Sequence, residues 1–370
     1  MIQRLLRGQA LYFVLGALII FLYMRAMRVA PLKPLDASGA TPVSQLAGAP
    51  PGPQSGGRSA DAASADDVLS WWPKTLSRED LERVAAREPL LGIFLSLLTI
   101  FIVGMALGGV GLALSSLWSG RVRSVWRYRP RRLPRWSFGE LGRIVAWVLI
   151  LTSAFPLVRL SLPQEAGMKI GAHLWISLSM LILDAGVILI ILAFAAGKRG
   201  SVWRTLGFSD RQLLPSVMVA LRGYVAVFPW LFLLLFFTVE AARHFGWTPP
   251  VEPIQELIFE EQNPHVLALT VLLACVIGPI GEELFFRGVL YTAIRQRTSR
   301  MVAMLVSATA FSLIHTNVLG FLPILALGCL MADLYERTGS LISPLVVHIL
   351  HNTFLMSLAL VVRRLLWLSE

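Results

Sequence analysis

Glu282-Glu283-Leu284-Phe285-Phe286-Arg287 places two carboxylates and a guanidinium inside an otherwise apolar stretch. Ionisable groups at bilayer depth are costly, which makes them functional candidates by default. Two later apolar segments carry matched pairs, Phe311 with His315 and His348 with Asn352. Each pair is spaced i,i+4, which stacks both side chains on one helix face. Glutamate and histidine confined in a wet site can activate water by two routes. In the first, Glu282, His315 and His348 bind a divalent metal such as Zn2+, which acidifies a bound water and serves as a Lewis acid. In the second no metal is needed: Glu282, assisted by His315, is the general base, and His348 and Asn352 donate hydrogen bonds to the tetrahedral oxyanion. Both routes hydrolyse an amide bond.

Helix geometry divides the labour of the two glutamates. Adjacent residues point about 100° apart, so Glu282 and Glu283 cannot serve one centre equally. Glu283 precedes Arg287 by four residues, the favourable order for an ion pair. The expectation is a structural Glu283–Arg287 pair, with Glu282 left to face the bundle interior. Just upstream, Gly278-Pro279-Ile280-Gly281 should loosen or kink the helix, and the carbonyls it frees need water or protein partners. With helix ends near Arg297 and Met301, Glu282 and His315 each lie roughly 21–22 Å along their helices at about 1.5 Å per residue. His348, counted from Gly339, comes out at only roughly 14 Å on the same rise, so a tilt, a kink at Pro344 or a deeper helix start is required.

The elements that carry these residues are membrane helices. Of 370 residues, 56% are hydrophobic and only 15% charged, against about 25% charged in an ordinary soluble domain. Mean hydropathy is +0.68. At about 20 apolar residues per span, about nine candidates emerge, near 9–27, 90–117, 141–162, 171–196, 217–242, 265–290, 301–318, 319–336 and 341–362. The expected fold is an all-α polytopic bundle of eight or nine spans. Residues 1–29 read as a retained membrane anchor, and 30–88, rich in Pro, Gly, Ser and Ala, as a flexible extracytoplasmic linker. Residues 89–263 read as helices with basic loops, 264–357 as the chemical core and 358–370 as a tail.

The net charge of +11 resides in clusters between apolar runs, which points to membrane orientation and not to nucleic acid. Residues 121–135 hold seven arginines with Trp126 and Tyr128 among them, suited to an anionic cytoplasmic leaflet. That loop puts the amino terminus in the cytoplasm and the acidic loop 243–264 outside. Arg363 and Arg364 run against the pattern and suggest one span fewer or a re-entrant segment. Cys275 and Cys329 are the only cysteines and read as packing residues, which excludes a disulfide scaffold and a thiolate zinc site.

Other polar residues in the apolar runs read as structural. Ser307 and Ser312 are expected at helix contacts, and His351 on a helix face or beside the site. Asp184, mid-span, should be neutral, paired or facing water, with Arg222 a candidate partner. His173, His244 and His265 fall near span ends, where ordinary interfacial roles are expected.

Glu282-Glu283-x-x-x-Arg287, Phe311-x-x-x-His315 and His348-x-x-x-Asn352, in this order on successive apolar segments, resemble the three motifs of the CAAX prenyl protease 2 and bacteriocin-processing (CPBP, Abi-like) family of intramembrane endopeptidases. The resemblance covers about residues 264–357. It implies that Glu282 and His315 activate the water, that Glu283 and Arg287 shape the site with Phe311, and that His348 with Asn352 binds metal or stabilises the oxyanion. The family is commonly labelled metalloprotease, and metal-bound and metal-free chemistry both remain open at this point. Expected partners are membrane lipid and a peptide or membrane-protein substrate, in a bacterial inner membrane. The competing class is a non-proteolytic immunity or scaffold protein with the same polar bundle. A transporter built on the Gly278–Gly281 break is a third, against which stands the lack of a matching broken helix elsewhere.

Overall fold

The computed structural model describes residues 88–118, 133–161, 171–198, 201–208, 213–246, 253–315 and 317–369. The expected N-terminal anchor, nearly all of the 30–88 linker and most of the arginine-rich loop lie outside them. The described residues form an all-α bundle with no strand. Its helices are α1 (Pro89–Trp118), α2 (Phe138–Ser161), α3 (Ala172–Ala196), the short α4 (Val202–Thr205), α5 (Leu213–His244), α6 (Pro253–Glu260), α7 (Pro264–Arg295), α8 (Arg300–Ile314), α9 (Phe321–Thr338) and α10 (Ile342–Ser369). Five of them, α1, α3, α5, α7 and α10, are long and apolar enough to cross a membrane. The chain is an integral membrane protein.

The long helices run alternately up and down, as their end contacts show. At one end Arg363 donates to Glu261 O, Arg364 pairs with Glu88, and Thr238 Oγ1 donates to Leu319 O at 2.9 Å. At the other, Lys198 reaches Glu140 at 2.9 Å, Gln296 donates to Trp136 O at 3.0 Å, and Arg300 pairs with Asp333. Arg363 and Arg364, which break the sequence charge pattern, are thus engaged by acceptors of the protein itself.

Sequence sets the packing surfaces. On α1, Leu90, Ile93, Leu97, Ile100 and Leu107 recur at helical spacing and are all exposed, as a lipid-facing stripe requires. Its opposite side carries Gly109, where a Cβ would stand 2.5 Å from Val225 O and 2.6 Å from Pro229 Cδ. Only glycine lets α1 lie this close to α5. Two buried clusters flank the centre, one around Trp136, Tyr291 and Tyr335, the other around Tyr224, Phe228, Phe311 and Met331.

Helix α7 is the element that matters most for the site. Asn263 caps it, accepting the His265 N–H at 2.9 Å, with Pro264 in the first turn where its missing N–H costs nothing. The expected loosening around Pro279 takes the form of two wider, π-helical stretches, Leu273–Ile277 and Leu284–Tyr291, on either side of an α-helical Gly278–Glu283. Such insertions often occur at functional sites.

Candidate functional site

Each side chain of the site is aimed by a local feature of its own helix. In the first π stretch the Gly278 N–H turns back to Leu273 O. Ala274 O therefore loses its i+4 donor, and its i+5 residue is Pro279, which has no N–H. Asn352 on α10 supplies the missing donor, its Nδ2–H reaching Ala274 O at 2.9 Å. This is the carbonyl partner that the Gly-Pro segment calls for, and it uses one of the two amide hydrogens expected to serve an oxyanion.

Glu283 and Arg287 pair as the spacing predicts, Nη1 to Oε1 at 2.7 Å, with side chains 1% and 0% exposed. The guanidinium also donates to Gly328 O at 3.3 Å and stacks 4.4 Å over Phe311. Sequence spacing alone did not reveal a second partner of Glu283: His348 Nδ1 lies 2.9 Å from the same Oε1. A carboxylate only accepts, so Nδ1 carries the proton and Nε2 is the ring's working atom. Phe311 is the hub that joins these groups, packing edge-on against both His315 and His348.

His315 closes α8, which ends earlier than the expected 301–318 span. The helix ends at Ile314, leaving carbonyls of the last turn without intrahelical donors. His315 Nδ1 donates to one of them, Phe311 O, at 2.7 Å. That bond fixes the tautomer by the same logic and leaves Nε2 to point elsewhere.

Both Nε2 atoms face one carboxylate oxygen. Glu282 Oε2 stands 3.8 Å from His315 Nε2 and 3.7 Å from His348 Nε2, and it is buried with no hydrogen-bond partner among the described residues. These separations exceed a direct hydrogen bond and suit a bridging water or a substrate atom. Glu282 and His315 are 29% and 30% exposed, whereas His348 is 2%. One wall is therefore fixed and dry while the other is accessible.

The level mismatch of His348 resolves in favour of a deeper helix start. Leu341 donates its N–H to Gly207 O at 2.9 Å and packs against Gly288, within α7, so α10 begins inside the bundle. Ser340, Leu341 and Ser343 are all buried. The remaining polar residues mostly play the expected parts. Ser307 Oγ donates to Phe286 O and Ser312 Oγ to Phe321 O, both tying elements together. His351 pairs with Tyr224 OH at 3.0 Å. Asp184 lies closer to the chemistry than the sequence indicates: a Cβ on Gly278 would be 3.4 Å from its Oδ2 and 3.8 Å from Glu282 Oε1. Arg222, the cation considered for it, is exposed on α5.

A single zinc with bonds of about 2.1 Å keeps any two donors within about 4.2 Å of each other. Each histidine meets this limit against Glu282. Yet among the described residues it is His173, Glu256 and Glu260 whose donor atoms lie within 4.8 Å of one another; Glu282, His315 and His348 form no such group. The two imidazoles flank the carboxylate too far apart to share one ion as they stand.

Residues 264–354 match the family model described as Type II CAAX prenyl endopeptidase Rce1-like. The matched segment includes all three motifs. The chain is 32% identical over 96 residues to "Putative membrane peptidase YdiL" of Bacillus subtilis (strain 168), covering 26% of this chain and 39% of that protein. It is 32% identical over 100 residues to "Uncharacterized protein YpbD" of the same organism, covering 46% of that protein. Over 80 residues it is 34% identical to "UPF0177 protein YxdF" of Lactococcus lactis subsp. lactis (strain IL1403), covering 44% of that protein. The chain thus spans less than half the length of these curated relatives. No solved structure matches it.

Proposed function

We propose, from the Rce1-like match over residues 264–354, that the chain is an intramembrane endopeptidase hydrolysing a peptide bond of a membrane-associated protein or peptide. The observation that carries this reading is the convergence of His315 Nε2 and His348 Nε2 on Glu282 Oε2, with both rings locked at Nδ1. A structural polar cluster would satisfy its carboxylate, whereas here the central oxygen is buried without a hydrogen-bond partner among the described residues.

Glu282 accepts a proton from a water held between it and His315 Nε2, and the resulting hydroxide attacks the scissile carbonyl carbon. Charge on the developing oxyanion needs donors on the opposite side. His348 fills that role in its protonated form. The amide hydrogen that Asn352 does not give to Ala274 O is a second donor. Glu282 then passes its proton to the leaving amine as the C–N bond breaks, which returns the site to its starting state. The route uses only this chain's side chains and water.

The charge of the basic loops supports a reading in which the Lys198 and Arg295 end faces the cytoplasm of a bacterial inner membrane. The test is cleavage of a membrane-anchored peptide substrate by the full chain and by the Glu282→Ala and His315→Ala variants in proteoliposomes. Both should be inactive yet inserted and helical; two fully active variants sink the catalytic assignment. Activity that survives exhaustive chelation supports the metal-free route, and chelator-sensitive activity restored by zinc overturns it.

A further inference from the structure

We propose that His173, Glu256 and Glu260 form a separate binding site for a divalent transition-metal ion of the zinc class. The site lies at the Glu261 end of the bundle, away from Glu282, and would clip α6 to the start of α3.

A donor atom of each residue lies within 4.8 Å of the other two. Glu256 and Glu260 are one turn apart on α6, so their carboxylates share a face. His173 is in the first turn of α3. Imidazole and carboxylate are both ligand types that zinc accepts, and three protein donors leave a fourth position for water. Both glutamates are exposed, so small rotations can close their donors around an ion without disturbing the core. Two like charges at this spacing repel, and neither has an ion-pair partner among the described residues. A bound cation removes that repulsion.

The histidine is oriented in advance. His173 Nδ1 lies 3.1 Å from Glu261 Oε2, and Glu261 Oε1 accepts the Asn263 N–H at 2.6 Å. The carboxylate is therefore pinned through both oxygens and holds the ring in turn. A carboxylate taking Nδ1–H leaves the lone pair on the other ring nitrogen, the arrangement that commonly supports a metal-bound histidine. An acidic surface cluster alone has neither a histidine nor a group holding it. The sequence-based reading of His173 as an ordinary interfacial residue could not anticipate this, because the ligands come from segments more than eighty residues apart.

The site changes how metal in this protein must be interpreted: zinc retained on purification need not be catalytic. The test uses the full chain in detergent micelles, stripped with chelator and dialysed against zinc alone, with bound zinc counted by elemental analysis. Wild type should bind one ion, His173→Ala and Glu256→Gln should lose it, and His315→Ala should keep it. Glu261→Gln should weaken binding by about 10–100-fold. Cleavage by Glu256→Gln should match wild type, which separates this site from the proposed peptidase activity. Should His173→Ala fail to fold, the exposed Glu256→Gln variant carries the test. The proposal is overturned if wild type binds no zinc, if Glu256→Gln and Glu261→Gln bind it as wild type does, or if His315→Ala is the variant that loses it.

Discussion

Glu283→Gln tests whether the buried charges are organised as described. The substitution keeps shape and hydrogen-bonding capacity but removes one charge from a set in which Arg287 is 0% exposed. Breaking a buried ion pair from one side costs about 3–5 kcal/mol, because the surviving charge stays in the bundle uncompensated. Glu282→Gln, one residue away, removes an equal charge from a side chain that is 29% exposed. It should cost no more than about 1 kcal/mol, since partly exposed charges outside a tight pair contribute little. The assay is unfolding of the purified full chain in mixed micelles, followed by helical circular dichroism. Adding Arg287→Met to Glu283→Gln should recover stability, because an apolar replacement of both partners is often neutral. The double variant should therefore lie above the sum of the singles by about 1–3 kcal/mol. Activity provides a second readout. The substitution removes the carboxylate that orients His348 through Nδ1, so cleavage should fall by about a hundred-fold to ten-thousand-fold in Glu283→Gln. Equal stability of Glu282→Gln and Glu283→Gln, or strict additivity of the double variant, refutes the assignment of Glu283 to Arg287 and His348.

Three further outcomes are expected. Asn352→Ala strips Ala274 O of its donor and should destabilise the chain by about 1–3 kcal/mol, the usual cost of a buried unsatisfied carbonyl, as measured by the same unfolding assay. Gly109→Ala puts a methyl 2.5 Å from Val225 O; the forced separation of α1 from α5 should cost about 1–3 kcal/mol and leave peptide cleavage at saturating substrate unchanged. Phe311→Leu keeps the side chain apolar but removes the ring that stacks on Arg287. It should lower stability by about 1–2 kcal/mol, and a thermal midpoint equal to that of wild type would discount the stacking.

Helices and face spacing were legible because they depend on local periodicity. The spans expected at 90–117, 171–196 and 341–362 compare with helices at Pro89–Trp118, Ala172–Ala196 and Ile342–Ser369. The Glu283–Arg287 pair followed from one turn of helix. Properties that depend on how segments meet were not legible. That α10 starts at the level of Gly288 is set by the Leu341–Gly207 bond, between residues far apart in sequence. That Glu283 serves His348 as well as Arg287 follows from this start, because it slides His348 level with the glutamates. The early end of α8 at Ile314 also differs from the expected span, which runs on through the polar His315-Thr316-Asn317 to Val318. Asp184 lay outside every motif, and only the parallel packing of α3 on α7 brings it near Gly278.

The Gly-Pro segment and the motif asparagine, separate features in the sequence, are two halves of one device. Pro279 withholds an N–H from the first π stretch, and Asn352 replaces it from α10. His348 is one turn before Asn352 on the same face, so anchoring the asparagine also sets the height of the histidine beside Glu283. Asn352, proposed above as a donor to the oxyanion, therefore also acts as a ruler for the His348 ring. A proline at 279 and an asparagine at 352 make sense together: restoring the N–H with Pro279→Ala should relieve the need for Asn352. The double variant Pro279→Ala/Asn352→Ala should then be more stable than Asn352→Ala alone, by about 1 kcal/mol, the net worth of one recovered hydrogen bond. If Pro279→Ala instead adds its own loss to that of Asn352→Ala, the asparagine is not compensating for the proline, and His348 is levelled by α10 packing alone.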